Sequence, residues 1–224
     1  LTAGQQLHYA ADSDALQLAT NETLLRQTRR MLAHRHTRRL AVQFACQWLH
    51  VRDFDKNDDK NEALYPEFAE LRDDMYEETV ILVERLFRED GSILDILAAD
   101  HTYLNEALAK HYGIAGFEGT SWQRVDGIRE HGRGGVLAMA TVLASQSGAS
   151  RTSPILRGNW VFETLLGERF PRPPAGVPQL PESLPSGLTA RQLIELHSSD
   201  ASCAKCHVKI DPFGFALEQY DAIG

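Results

Sequence analysis

Close to the end of the chain runs Cys203-Ala204-Lys205-Cys206-His207, and no other stretch restricts the possible fold so strongly. A C-x-x-C-H run is the attachment signature of c-type haem. Two thiols three residues apart on one helical turn can each add across a vinyl group of a porphyrin, and the histidine that follows is left beneath the iron as its proximal ligand. A chain built this way has to arrange a pocket around a tetrapyrrole, and its chemistry becomes that of iron tuned by protein ligands and surroundings. Two plainer readings use the same cysteines: half of a zinc site, or a thioredoxin-like dithiol. Structural zinc asks for four closed ligands, yet the third cysteine, Cys46, lies far upstream in an apolar stretch. A thioredoxin-like pair belongs in a βαβ unit, and no such pattern surrounds residues 203–207. Haem is the favoured reading.

With 224 residues, 43% of them hydrophobic, the chain has enough apolar material for one large domain or two small ones. A formal net charge of −8 argues against nucleic acid as a partner for the whole surface. No apolar run approaches the roughly 20 residues needed to cross a bilayer. The chain opens at Leu1 with no initiator Met and no signal peptide, which reads as the edge of a processed chain or of a piece of a longer one. Covalent haem is assembled outside the bacterial cytoplasmic membrane, so a periplasmic or otherwise exported protein is expected. Cys46 reads as a small buried hydrophobe.

Helix dominates the pattern. Residues 13–51 read as helical, with Asn21 as an N-cap, Leu24, Thr28, Met31 and Leu32 on one face, and Leu40, Phe44, Trp48 and Val51 on another. The basic run Arg26, Arg29, Arg30, Arg35, Arg38 and Arg39, with His34 and His36, fits a solvated face paired with acidic neighbours better than a docking patch. Residues 53–63 are acidic and turn-rich. Asp55, Asn57 and Asp59 alternate like a calcium loop, but Lys60 stands where glycine is required, so a polar connector is expected. A long helix should follow over 66–89, carrying Phe68, Leu71, Met75, Thr79, Leu82 and Leu86. A short one capped by Ser92 comes next, and another over 102–112. Trp122, Arg124 and Val125 permit a short strand, Gly134-Gly135 opens a small helix over 136–143, and Ser153-Pro154 starts a helix. Residues 170–187 are proline-rich and read as a linker. Thr189 caps the last unit, which leads into the haem motif. The divisions predicted are a helical module over 1–113, an irregular and helical segment with its linker over 114–187, and a haem attachment module over 188–224. The fold class is mainly α: a helical module followed by a small c-type cytochrome-like module.

A proximal imidazole needs its other nitrogen held by an acceptor, usually a backbone carbonyl. The turn expected over 210–215, which contains Pro212, can supply it, with Phe213 and Phe215 lining the porphyrin. The sixth ligand decides the activity: a bound Met or His suits electron transfer, and an open position permits peroxide or small-ligand chemistry. No Met or His follows His207. Met139 is therefore the first candidate for the iron, ahead of His197 and His131, though a methionine on an apolar helix is also ordinary core. Arg151 and Arg157 flank the Ser153-Pro154 helix start and suit haem propionates, or plain surface exposure. No H-E-x-x-H, G-x-S-x-G or phosphate loop is present.

Taken together, the stretches 44–49 (FACQWL), 65–79 (YPEFAELRDDMYEET), 100–113 (DHTYLNEALAKHYG), 134–143, 151–158 (RTSPILRG), 160–167 and 197–224 resemble the large multi-domain planctomycete cytochrome C family. The likeness covers most of the chain from about residue 24 and is most specific in the two C-terminal blocks. It implies a helical module followed by a haem-bearing one, in exported proteins that often carry further domains, and a family sequence that continues past residues 221–224. It does not settle a reaction. The expectation is an exported haem c protein acting in electron transfer, with a redox partner or other domains of the same assembly beside it. The alternatives are a peroxidase-like haem oxidoreductase with an open distal site, and a scaffold in which haem is structural.

Overall fold

The structure is a computed structural model that describes residues 20–170, 180–181 and 185–224. The first seven residues of the helix expected over 13–51, and most of the proline-rich stretch 170–187, lie outside the described residues.

The fold is mainly helical. Helix α1 (Asn21–Leu32) is capped by Thr20, whose hydroxyl accepts from the Thr23 N–H, rather than by Asn21. It buries none of its residues fully; Leu24, Leu25 and Met31 stay exposed, and of the apolar face read from the sequence Leu32 alone is half-buried. Helix α2 (Thr37–Leu40), a π-helical turn (Ala41–Ala45) and α3 (Cys46–Trp48) run on from one another. The wide turn shifts the buried stripe: Thr37, Ala41, Ala45, Cys46 and Leu49 go inward, while Leu40 and Phe44 face out. Burial pushes the Cys46 thiol up to about 11, which makes it an inert core residue. The basic run pairs with acidic neighbours, as Arg38 does with Glu77 at 2.8 and 2.5 Å.

Helix α4 (Phe68–Arg88) is the centre of the core. Phe68, Leu71, Met75, Thr79 and Leu82 are buried at steps of three and four, and each fully buried apolar side chain contributes about 1.5–3 kcal/mol relative to exposure. After the short α5 (Asp95–Ala98) the chain departs from the helix expected over 102–112. His101–Leu104 is instead a strand, β1, and only Glu106–His111 is helical (α6), capped by the Asn105 side chain. Strand β2 (Gln123–Asp126) pairs antiparallel with β1, with His101 opposite Asp126 and Leu104 opposite Gln123. The helix expected over 136–143 is also broken: Val136–Ala138 is a 3-10 turn, Met139 is extended at ψ 133°, and α7 is Ala140–Ser145. Gly135 allows this turn because a Cβ there would overlap the Leu97 carbonyl.

Helix α8 (Pro154–Trp160) begins as expected, with the Ser153 hydroxyl accepting from the Leu156 N–H and proline in the first turn. It passes into a second π turn, Val161–Leu165. Two indoles tie this continuous helical stretch to α2–α3: Trp48 donates to the Thr164 carbonyl at 3.1 Å and Trp160 to the Leu49 carbonyl at 3.0 Å. Helix α9 (Ala190–Ser198) opens with a full capping box between Thr189 and Gln192, and α10 (Ala201–Ala216) carries the cysteines. The residues after α10 return to the first part of the chain: Ala222 is fully buried, and Ile223 joins the core around α4. Lys60, in the polar connector, donates to the carbonyls of Ala144 and Gly148 at 2.8 and 3.0 Å, at the end of α7 where a cation suits the helix dipole.

Candidate functional site

The C-x-x-C-H run lies wholly within α10, which the Asp200 side chain caps by accepting from the Ser202 N–H at 2.7 Å. Residues three and four apart share a helix face, so Cys203, Cys206 and His207 stand together. Both thiols are free and partly exposed, whereas His207 is buried. The turn expected over 210–215 is not there: α10 continues through Pro212 to Ala216. Proline has no N–H to donate to the preceding turn, but glycine two residues later serves packing rather than chain reversal. A Cβ on Gly214 would overlap the Pro154 carbonyl, and one on Gly158 would overlap the Ile210 carbonyl. Helices α8 and α10 thus cross backbone against backbone at two points.

This continuation changes the partner of His207, the histidine expected to be proximal. In place of a turn carbonyl, the Asp211 carboxylate lies 2.8 Å from His207 Nδ1, one helical turn along and equally buried. Burial raises the Asp211 carboxyl above its ordinary range, and the imidazole offsets part of that. Sequence reasoning missed Asp211, although a carboxylate four residues after the histidine was the available signal. The ring of His197, on α9, meets His207 edge-on with centroids 5.1 Å apart. Rings that close touch, which leaves no room for a porphyrin between them in this arrangement.

The other candidates are distributed differently from expectation. Met139 is placed in the core, where its sulfur accepts from the Thr79 hydroxyl at 3.4 Å. His131 is exposed at the end of a 3-10 turn. Arg157 is among the most buried side chains and donates to the carbonyls of Leu217 (2.7 Å), Tyr220 (2.8 Å), Leu143 (3.2 Å) and Asp221, and to the Ser147 hydroxyl (2.9 Å). Its guanidinium is spent on clamping the chain after α10, and not on a propionate, because four carbonyls converge on it. Burial lowers its pKa to about 10. Arg151 donates to the Pro181 carbonyl at 2.9 and 3.1 Å. Pro212 and Phe213 are exposed on α10, and Phe215 lies under the Arg191 guanidinium at 4.1 Å.

The donor set of these residues suits a covalently held tetrapyrrole once the His197 ring stands clear of His207. The thiols are unpaired and partly exposed, the imidazole is paired with a carboxylate, and Phe213, two turns after Cys206 on the same helix, is 37% exposed. Cys203 and Cys206 would hold the group and His207 would ligate its metal. No cluster of three or more His, Cys, Asp or Glu side chains that could hold a bare metal ion occurs among the described residues.

A second polar cluster lies inside the core. Glu78, 1% exposed, accepts from the Thr102 hydroxyl at 2.5 Å and the Tyr112 hydroxyl at 2.6 Å, and Tyr112 in turn accepts from the Ala140 N–H at 3.0 Å. Burial pushes the Glu78 carboxyl up to about 7.

Compared with known proteins, residues 133–224 match the family model PSCyt3, described as a protein of unknown function (DUF1588). Residues 3–114 match the model PSD4, described as a protein of unknown function (DUF1592). No curated protein and no solved structure matches the chain.

Proposed function

The chain belongs to the DUF1592 (PSD4) family, whose model covers half of it, and from that premise we propose that its DUF1588 (PSCyt3) segment is a c-type haem module that transfers electrons within a larger exported protein of the planctomycete cytochrome C kind. The name PSCyt3 points the same way. The observation that carries the reading is the arrangement on α10: two free, partly exposed thiols three residues apart, followed at once by a buried, carboxylate-held imidazole. When bound, the haem supplies a one-electron iron couple. Cys203 and Cys206 would hold it through thioethers to its vinyl groups, and His207 would ligate its iron. Phe213, two turns after Cys206 on the same helix, offers apolar surface beside the cysteines.

A second reading, a haem oxidoreductase with an open distal position, gains from the placement of Met139 in the core with Thr79. That placement leaves the sixth position without the thioether that suits an electron carrier.

The test is to express the chain in a bacterial periplasm with the haem-attachment machinery and extract it with acidified acetone. Colour that stays with the polypeptide, a mass raised by one porphyrin, and loss of both in a Cys203→Ser, Cys206→Ser double variant are expected. Free haem in the extract, or an unmodified mass, would overturn the proposal. Oxidised and reduced absorption spectra then separate the two readings: low-spin iron supports electron transfer and high-spin iron the open site.

A further inference from the structure

We propose that Asp211 is the positioning residue of the haem ligand: its carboxylate accepts the Nδ1–H of His207, fixes the tautomer that leaves Nε2 for iron, and makes the imidazole a stronger donor than a carbonyl-held one. This rests on the haem reading above and extends it to the tuning of the iron.

Aspartate is a poor residue for a helix interior, and a buried carboxylate loses its hydration. Asp211 is in both situations, in the middle of α10 and 8% exposed. Among the described residues its side chain pairs closely with His207 Nδ1, at 2.8 Å. The titratable groups that reach it are His207, His197 and Glu195, and His207 is the one that touches it. The backbone around it cannot drift, because Ile210 abuts Gly158 and Gly214 abuts Pro154. Asp211 therefore sits on an immobilised turn of helix, aimed at the ring nitrogen that the metal does not use. A carboxylate on the far nitrogen of a ligating histidine raises its basicity and orients the ring. A more basic axial ligand stabilises the oxidised iron, so Asp211 holds the reduction potential down.

The experiment compares the haem-loaded wild type with Asp211→Asn and Asp211→Ala. Asparagine keeps the shape and an acceptor oxygen but removes the charge; alanine removes the contact. The potential is expected to move positive in Asp211→Asn and further in Asp211→Ala, at unchanged haem content and helical circular dichroism. An unchanged potential at full haem content would overturn the inference. So would loss of haem from a folded Asp211→Asn protein, which would make Asp211 a requirement for assembly instead of a tuning contact. If Asp211→Asn does not fold, nitrogen-15 NMR of the wild type still decides: a slowly exchanging proton on His207 Nδ1 is expected, and a freely exchanging one overturns the assignment. Absence of covalent haem from the wild type itself is a different result, which removes the proposed function and not the Asp211–His207 contact.

Discussion

Gly214 of α10 lies directly against the carbonyl of Pro154 in α8, so close that a Cβ on the glycine would occupy the same space as the oxygen. The reciprocal contact, Gly158 against Ile210, makes this a crossing of two backbones. Gly214→Ala and Gly158→Ala should each lower stability by about 3 kcal/mol, the upper end for overpacking, because the obstructing atoms are backbone and cannot rotate away. Urea unfolding checks this, with Gly116→Ala as a comparison. No atom crowds Gly116, and its positive φ gives a smaller cost of about 1 kcal/mol.

Arg157 should behave as a structural clamp. Arg157→Leu leaves four carbonyls and the Ser147 hydroxyl short of a donor, at a cost of about 3 kcal/mol or more, since each buried unsatisfied group costs about 1–3. Limited proteolysis should then cut within residues 217–224. Arg151→Leu, which among the described residues loses contacts to the carbonyls of Pro181 and Thr152, should stay within about 1 kcal/mol of the wild type.

The buried carboxyl of Glu78 makes stability depend on pH in a definite direction. Its folded value of about 7 lies above the ordinary 4.5. Between those values the folded chain binds more protons than the unfolded one, so stability is full below 4.5 and declines as pH rises toward 7. The total is on the order of 3 kcal/mol. Glu78→Gln should flatten that slope. Urea midpoints at pH 4.5 and 7.5 test it, and equal slopes in the two proteins would refute the assignment.

Met139 should act as core and not as an iron ligand. Met139→Ala is expected to cost about 2–5 kcal/mol, as for other large-to-small core changes, and to leave the absorption spectrum of the haem-loaded protein unchanged. A change from low-spin to high-spin iron would restore Met139 as a ligand.

The local parts of this molecule were legible in its sequence and the non-local parts were not. Ser153-Pro154 and Thr189 announce their helices because a cap depends on residues within one turn. Strand β1 was misread as helix because Thr102 and Tyr103 owe their conformation to β2, about twenty residues later. The continuation of α10 through Pro212 was hidden for a related reason: Gly214 looks like a turn residue until α8 is seen pressed against it. In the candidate site the cysteines and His207 declare themselves by spacing. Asp211 needed the helix to be continuous, and Arg157 needed the return of residues 217–224 to the core, which no local pattern records.

That return bears on the order of events in the life of the chain. Synthesis delivers residues from the N-terminus, so α4 and its neighbours exist for a time without Ile223 and Leu217, both of which join their core. During that interval residues 203–207 have already emerged, while the carbonyls that Arg157 must grip at Leu217, Tyr220 and Asp221 have not. The grip of Arg157 therefore closes only after α10 is complete, and not with α8 alone.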